Sequence, residues 1–285
     1  MPDRADPRDL LSLIDFHVAA GVDCALDETP HDRFAEDSRA AEERPSPPAR
    51  EEVLAPSTPR RMPEPLARPA SIQPRPSRAT TASPDEAAAD ARERAKSATS
   101  LAELEALLAS FDGCALRTGA KNLVFADGNP EARVMLVGEM PGADEDRVGK
   151  PFMGRSGQLL DRMLGAIGLD RSHVYIANLV PWRPPGNRNP TPQEIAICKP
   201  FVERQIELAN PDFLVCLGGP AVQNLLGTKD GILRSRGRWF PYKASGREIR
   251  ALATLHPAYL LRQPLQKRLS WRDFRALRRA LDGRE

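Results

Sequence analysis

The sequence has few cysteines and no long hydrophobic run. Only four of its 285 residues are cysteine, and Cys24, Cys114, Cys198 and Cys216 lie far apart. This spacing gives no disulfide framework, so we expect reduced thiols. No apolar stretch approaches the roughly 18 residues of a membrane span, and the charged start MPDRADPRD is unlike a signal peptide. These absences predict a soluble, cytoplasmic protein that makes no membrane contact.

Aromatic residues are also scarce, above all in the first third of the chain. Residues 1–98 contain only Phe16 and Phe34, whereas they hold 14 of the 28 prolines. Their 14 basic and 19 acidic residues give a net charge of −5, while the 27 basic and 20 acidic residues of 99–285 give +7. A basic domain favours polyanionic partners, of which nucleic acid is the leading candidate. An ordinary solvated surface is the alternative explanation of this charge.

The acidic first third divides into a short helix and a linker. In residues 1–27 the spacing of Leu10 and Ile14 predicts a short amphipathic helix that docks on a protein partner or on the rest of the chain. Residues 28–98 are rich in proline, alanine, arginine and glutamate without a hydrophobic period. They cannot bury enough apolar surface to offset chain entropy, so we expect a disordered linker. Its last part, residues 83–98, favours a helix that is polar all round, which predicts no tight packing.

Apolar strands alternate with helices from residue 99 to the end. The expected strands are ARVMLVG, HVYIANLV, DFLVCLG, RGRWFPYK and EIRALATLHP. Parallel strands need helical crossovers of this kind, and the helices cover both faces of the sheet. The pattern therefore predicts one α/β domain over residues 99–285. Its architecture is a three-layer α/β/α arrangement with a central, mainly parallel sheet of four to five strands.

Polar residues stand at the carboxyl ends of three expected strands. Glu139 lies in the glycine-rich turn GEMPG after VMLV, Asn178 lies within VYIANLV, and His256 follows EIRALATL. Each residue alone has an ordinary structural explanation, and GEMPG is no P-loop because no Gly-Lys-Ser/Thr follows. In an open α/β sheet, however, ligands bind at the carboxyl ends of the strands. The three residues together predict one crevice.

Three long segments resemble a known family. GEMPGADEDRVGKPFMGRSGQLLD (138–161), NLVPWRPPGNRNPTPQEIAIC (178–198) and HPAYLLR (256–262) resemble family 4 uracil-DNA glycosylases, in the same order and spacing. The resemblance implies the uracil-DNA glycosylase fold and a monofunctional enzyme of base excision repair. Such an enzyme flips uracil out of single- or double-stranded DNA and hydrolyses its N-glycosidic bond, which leaves an abasic site. We expect a monomer associated with the nucleoid; a non-catalytic DNA-binding adaptor on the same fold is the alternative.

The resemblance implies roles for five residues around the base. His256 would donate a hydrogen bond to O2 of the leaving uracil anion, and the amide of Asn178 would pair with the O4 and N3–H edge. Phe152 in GKPFMG would stack on the flipped base, while Gly138 and Met140 would line the pocket. Met140 departs from the small residue expected at its position, and this departure indicates a narrower pocket or an altered water position.

A carboxylate is expected next to the sugar, which develops oxocarbenium character as the bond breaks. Glu139 is the first candidate because it lies inside the turn after the strand VMLV. Glu145 is the second candidate. The sequence leaves open which of the two orients the water.

The segment HPAYLLRQPLQKRLSW is expected to contact DNA. Leu260 and Leu261 are candidates for a wedge that enters the base stack. Arg262, Lys267 and Arg268 are candidates for phosphate contacts. A plain amphipathic loop is the alternative interpretation of this segment.

The family's [4Fe-4S] cluster needs four cysteine ligands, and this sequence departs from that pattern. The matching positions are occupied by Phe111, Cys114, Trp182 and Cys198. Two thiolates do not satisfy a four-iron cluster, so we predict a degenerate site without metal and an enzyme without a cofactor. We expect the two aromatic rings to fill the vacated volume beside buried, inert thiols.

Overall fold

The computed structural model describes residues 83–244 and 246–284. The helix predicted within residues 1–27, and the linker up to residue 82, lie outside the described residues. In the described part, no helix has the length and apolar character that crossing a membrane requires. The helices are α1 (Pro84–Ser97), α2 (Leu101–Ser110), α3 (Leu116–Gly119), α4 (Ala143–Val148), α5 (Arg155–Gly165), α6 (Pro192–Ala209), α7 (Gly219–Leu226), α8 (Ile232–Ser235), α9 (Pro257–Arg262) and α10 (Lys267–Leu281). The strands are β1 (Asp127–Gly128), β2 (Val134–Gly138), β3 (Val174–Asn178), β4 (Phe213–Leu217), β5 (Trp239–Ala244) and β6 (Arg247–Thr254), and short 3₁₀ turns occupy Arg171–His173, Pro185–Asn187 and Pro264–Gln266.

The strands form one sheet in the order β1-β3-β2-β4-β6-β5. The four central strands are parallel, and β1 and β5 pair antiparallel at the two edges. Every residue of β2, β3 and β4 is buried, as expected for parallel strands with helices on both faces. The predicted α/β fold and its mainly parallel sheet are confirmed. The two-residue strand β1 adds a sixth strand to the five that the sequence predicts.

Alternate residues of β2 point into two separate apolar layers. Met135 and Val137 pack in a cluster with side chains of α6 and α7, whereas Leu136 packs with α5 and α10 on the other face. This division follows from the two-residue period of a strand. It produces the three-layer arrangement and brings the carboxyl ends of the central strands to one edge.

Helix α1 corrects the prediction that residues 83–98 belong to a loosely attached linker. A capping box between Ser83 and Glu86 starts the helix, and α1 lies along α6. One face of α1 is made of buried alanines, Ala87, Ala88, Ala91 and Ala95, followed by Ala98. The prediction was wrong because alanine adds little hydropathy to a sequence pattern, yet its small side chain allows close approach of two helices.

The buried face of α1 gives a matched stability test. Ala91 is fully buried and Ala89 is exposed, although both lie in the same helix. Ala91→Asp should lower the free energy of unfolding by about 1–3 kcal/mol, because the carboxylate loses hydration without gaining a partner. Ala89→Asp should lower it by about 1 kcal/mol or less, the cost of a poorer helix former on an exposed face. Chemical denaturation followed by circular dichroism measures both; equal effects would contradict the docked position of α1.

Candidate active site

A pocket of about 390 Å³ opens at the carboxyl ends of β2, β3 and β6. Glu139, Asn178 and His256 all line it, so the structure brings together the three polar residues that the sequence placed after separate strands. Four further polar residues at the pocket were not singled out from the sequence, although each lies within the quoted motifs: Ser156, Asn187, Asn189 and Tyr259.

Asn178 is the last residue of β3, and its side chain is almost fully buried. Its Oδ1 atom has no hydrogen-bond partner within the part of the chain that the structure describes. The strand register places Gly138 of β2 beside it, and a Cβ atom on Gly138 would lie 2.6 Å from Oδ1. Glycine is therefore required there for the amide to keep its position. Leaving a buried acceptor unpaired costs about 1–3 kcal/mol. An acceptor that is nevertheless unpaired is typical of a position that binds a ligand.

Phe152 forms a wall of the same pocket. Its ring stacks on the imidazole of His256, with ring centroids 5.5 Å apart and an interplanar angle of 29°. A Cβ atom on Gly138 would also lie 2.6 Å from Cζ of this ring. The backbone φ of Phe152 is 55°, a left-handed conformation that costs a non-glycine residue about 1–3 kcal/mol. The surrounding structure must hold this residue in place.

His256 immediately precedes α9, and the helix start fixes its tautomer. Its Nδ1 atom accepts a hydrogen bond from the backbone N–H of Ala258 at 3.1 Å. Burial, with the nearby Arg262 charge, lowers the pKa of His256 to about 4, although Glu145 acts in the opposite direction. The imidazole is therefore neutral near pH 7, and because Nδ1 accepts, its proton is on Nε2. The side chain presents a neutral N–H donor.

The two candidate carboxylates have different surroundings. Burial raises the pKa of Glu139, which lines the pocket. Both oxygens of Glu145, in contrast, accept backbone hydrogen bonds: Oε2 from Gly142, and Oε1 from Met153 and Gly154 at 2.8 and 2.9 Å. Glu145 therefore holds the loop between α4 and α5 together. Both carboxylates line the pocket; because the oxygens of Glu145 already accept backbone hydrogen bonds, Glu139 remains the first candidate for orienting the water.

The leucines after His256 do not all face solvent. Leu260 is fully buried beside α5 and α10, so its predicted role as a wedge was wrong. The reason is helical periodicity, since α9 turns adjacent residues toward different environments. Leu261 is partly exposed, and Leu265, which the sequence reasoning missed, is 84% exposed in the turn before α10. The three predicted phosphate contacts are all exposed: Arg262, Lys267 and Arg268.

The four residues at the degenerate cluster site lie close together under α1. Phe111, Trp182 and both thiols are buried in one apolar cluster, and the Sγ atoms of Cys114 and Cys198 are 3.8 Å apart. Their hydrogen bond, together with burial, raises the pKa of Cys198. A [4Fe-4S] cluster needs four thiolates, and this set of side chains does not fit one.

The same apolar cluster extends to the pocket. Met140, the residue that departs from the expected small one, packs against it and also lines the pocket. The side chains at the degenerate site and the pocket wall therefore form one continuous packed region.

The comparisons with known proteins agree with this geometry. The family model of the Uracil DNA glycosylase superfamily matches residues 125–278. A type-4 uracil-DNA glycosylase of Thermotoga maritima is 43% identical over 150 residues, which are 52% of this chain and 77% of that protein. A type-4 uracil-DNA glycosylase of Archaeoglobus fulgidus is 39% identical over 168 residues, 58% of this chain and 84% of that protein. A type-5 uracil-DNA glycosylase of Thermus thermophilus is 36% identical over 115 residues, 35% and 52% of the two chains.

Proposed function

Because the chain belongs to the uracil DNA glycosylase superfamily, we propose that its pocket binds a uracil that has left the DNA base stack. The chain is a DNA-repair glycosylase that hydrolyses the N-glycosidic bond of uracil in DNA and leaves an abasic site, the first step of base excision repair. It does so as a monofunctional enzyme, which releases the base and does not cut the strand.

The observation that carries this proposal is the unpaired Oδ1 of Asn178. Uracil offers an N3–H donor beside its O4 acceptor, which matches the acceptor and donor of an amide. Cytosine has an unprotonated N3 and an amino group at C4, so it would leave the same amide mismatched. A mismatch of buried polar groups costs about 1–3 kcal/mol, which is enough to select uracil over cytosine.

Bond cleavage needs charge stabilisation at both ends of the breaking bond. The electron pair of the N-glycosidic bond moves to uracil, where O2 gains negative charge, and the Nε2–H of His256 donates to that oxygen. The ring of Phe152 stacks on the base and holds its plane. The carboxylate of Glu139 stabilises the cationic sugar and orients the water that adds to it, and the released proton passes through this carboxylate to solvent.

The composition of the degenerate cluster site supports the proposal that the catalytic domain works without an iron–sulfur cluster. Phe111 and Trp182 occupy two of the four ligand positions, and their rings are packed with Cys114 and Cys198. Each step above uses side chains of this chain and solvent water. Iron analysis of the purified protein tests the proposal; about four irons per chain with a brown colour would overturn it.

The partner of the enzyme is uracil-containing DNA, single- or double-stranded. We propose that the enzyme acts at the nucleoid in the cytoplasm, where its DNA substrate lies. We also propose that it is a monomer, because one chain supplies the residues that line the pocket. Arg262 lines the pocket, and Arg262, Lys267 and Arg268 are all exposed; these three cations are proposed to contact DNA phosphates.

Alkali cleavage of a labelled oligonucleotide tests the function. The wild-type protein should convert a strand with one uracil into an alkali-labile product and should leave matched strands with cytosine or thymine intact. Binding to the uracil strand without an alkali-labile product would instead indicate the non-catalytic adaptor. Product strands that remain uncleaved before alkali treatment would confirm that the enzyme is monofunctional.

The raised pKa of Glu139 predicts how the rate of uracil release changes at low pH. The ionised carboxylate is needed, so the rate should fall as pH drops through a pKa that lies above the ordinary glutamate value of 4.5. Glu139→Gln should remove this acid limb and lower the plateau rate roughly tenfold, the effect of about 1.4 kcal/mol of lost charge stabilisation. Single-turnover rates from pH 4.5 to 8 measure both effects. The exposed Glu131→Gln is the control; an unchanged acid limb in Glu139→Gln would exclude the proposed role.

A further inference from the structure

The backbone at Phe152 is held in an uncommon conformation at the pocket wall. Its φ of 55° lies in the left-handed region that few aromatic residues adopt. Gly157 of α5 makes room for this arrangement, because a Cβ atom on Gly157 would overlap the carbonyl oxygen of Phe152. The carbonyl oxygen therefore lies against Gly157 of α5, while the ring lies between Gly138 and His256.

Arg171 binds the carbonyl that this conformation presents. Its guanidinium donates hydrogen bonds to the carbonyl oxygens of Phe152 and, at 3.2 Å, of Pro151. Two carboxylates hold the guanidinium in turn: Nη1 lies 2.7 Å from Oδ2 of Asp127, and Nε lies 2.9 Å from Oδ1 of Asp161. A planar guanidinium held at two edges by carboxylates has a fixed orientation.

Glu145 holds the chain immediately after Phe152. Its Oε1 accepts hydrogen bonds from the backbone N–H groups of Met153 and Gly154. The peptide groups on both sides of the strained residue are therefore bound to charged side chains: Arg171 binds the carbonyl oxygens of both, and Glu145 also accepts from the N–H of the second. Such a double attachment compensates for an unfavourable φ and leaves the ring little freedom.

We infer that Arg171 is a positioning residue for the glycosylase reaction, which acts by holding Phe152 in the conformation that stacks on the flipped uracil. The inference rests on the proposed function of the pocket. Arg171 lies in the turn before β3, in the segment DRSHVY, between the motifs that carry the family resemblance. Its contacts with the pocket run through the backbone of Phe152.

A double-mutant cycle tests this role in the full-length protein. Arg171→Met keeps the length of the side chain and removes its donors. We expect it to lower kcat/KM on a uracil oligonucleotide about tenfold and to raise the concentration of free uracil needed for half-inhibition. In a Phe152→Ala background, the same substitution should change kcat/KM by about twofold or less, because the ring on which Arg171 acts is already absent.

Two further variants separate positioning from a general effect on the fold. Asp161→Asn removes one of the two carboxylates that hold Arg171, at a partly exposed site. It should lower kcat/KM by a smaller factor than Arg171→Met does. This loss should again be absent in the Phe152→Ala background. Arg133→Met breaks a comparable surface ion pair, with Asp212, and should leave kcat/KM unchanged. Thermal unfolding is measured for every variant.

The outcomes are distinct. Equal losses from Arg171→Met with and without the Phe152 ring, or no loss at all, would overturn the inference while the wild-type enzyme remains active. If Arg171→Met does not fold, Asp161→Asn decides by the same cycle. A wild-type protein that releases no uracil would overturn the proposed function and the inference with it.

Discussion

Replacement of His256 with alanine is expected to lower the single-turnover rate of uracil release about 10²–10³-fold, the usual effect of removing one preorganised donor from a developing anion. The effect should be this large because the donor is neutral, has a fixed tautomer and lies in the wall of the pocket proposed to hold the base. The hydrogen bond from Ala258 to Nδ1 fixes the ring orientation before the substrate arrives. Because the pKa of His256 is about 4, its contribution should be constant from pH 6 to 9.

The matched control for this experiment is His173→Ala. His173 is exposed, pairs with Asp170 at 2.7 Å, and lies in the turn before β3, away from the pocket. This variant should keep the wild-type rate. Affinity for an oligonucleotide of ordinary bases, measured by fluorescence anisotropy, should be nearly the same in both variants and in the wild type. An unchanged rate in His256→Ala would exclude its role as the donor to O2.

Trp182→Ala is expected to lower the free energy of unfolding by about 3–5 kcal/mol, as large aromatic deletions in protein cores do. Trp182 is only 2% exposed and packs in the cluster that also contains Phe111, Cys114 and Cys198. Its removal would leave a cavity in this cluster, which includes side chains of α1, α2 and α6, and a packed core closes such a cavity only in part. Chemical denaturation followed by circular dichroism measures the loss without dependence on the deleted chromophore.

Trp271→Ala is the control for the stability measurement. Trp271 is 44% exposed on α10, so its deletion should cost about 1 kcal/mol or less. A neutral Trp182→Ala, or equal losses in the two variants, would show that the ring does not serve as core at the degenerate site. Iron content measured on the same preparations tests separately whether any metal is bound there.

The sequence predicted those parts of the fold that depend on local periodicity. Each of the strands β2, β3 and β4 is a short apolar run bounded by polar or glycine residues, and such runs report burial on both faces directly. The positions of Glu139, Asn178 and His256 could be predicted for the same reason, because the end of a parallel strand also marks the edge at which its neighbours end. The sequence motifs around these three residues then indicated the chemical role of each.

The sequence was less informative where a pattern did not show which way a side chain faces or which group it contacts. Leu260 and Leu261 are equivalent in a hydropathy profile, yet only the placement of α9 against α5 and α10 determines which one is buried. The sequence also does not show that the oxygens of Glu145, the second candidate carboxylate, accept hydrogen bonds from Gly142, Met153 and Gly154. The alanine face of α1 was missed because alanine is compatible with solvent as well as with close helix packing.

By itself, the sequence determined the order of the main strands and helices along the chain, the presence of Glu139, Asn178 and His256 at the pocket, and the replacement of two cluster cysteines, because each of these is a property of neighbouring residues or of a motif. The tertiary structure alone decided which groups are free to act. It left Oδ1 of Asn178 unpaired, gave His256 a neutral tautomer, and connected Arg171 to Phe152. The first and third of these outcomes depend on packing and hydrogen bonds between segments distant in sequence, and the neutral state of His256 depends on its burial, so no local pattern encodes them.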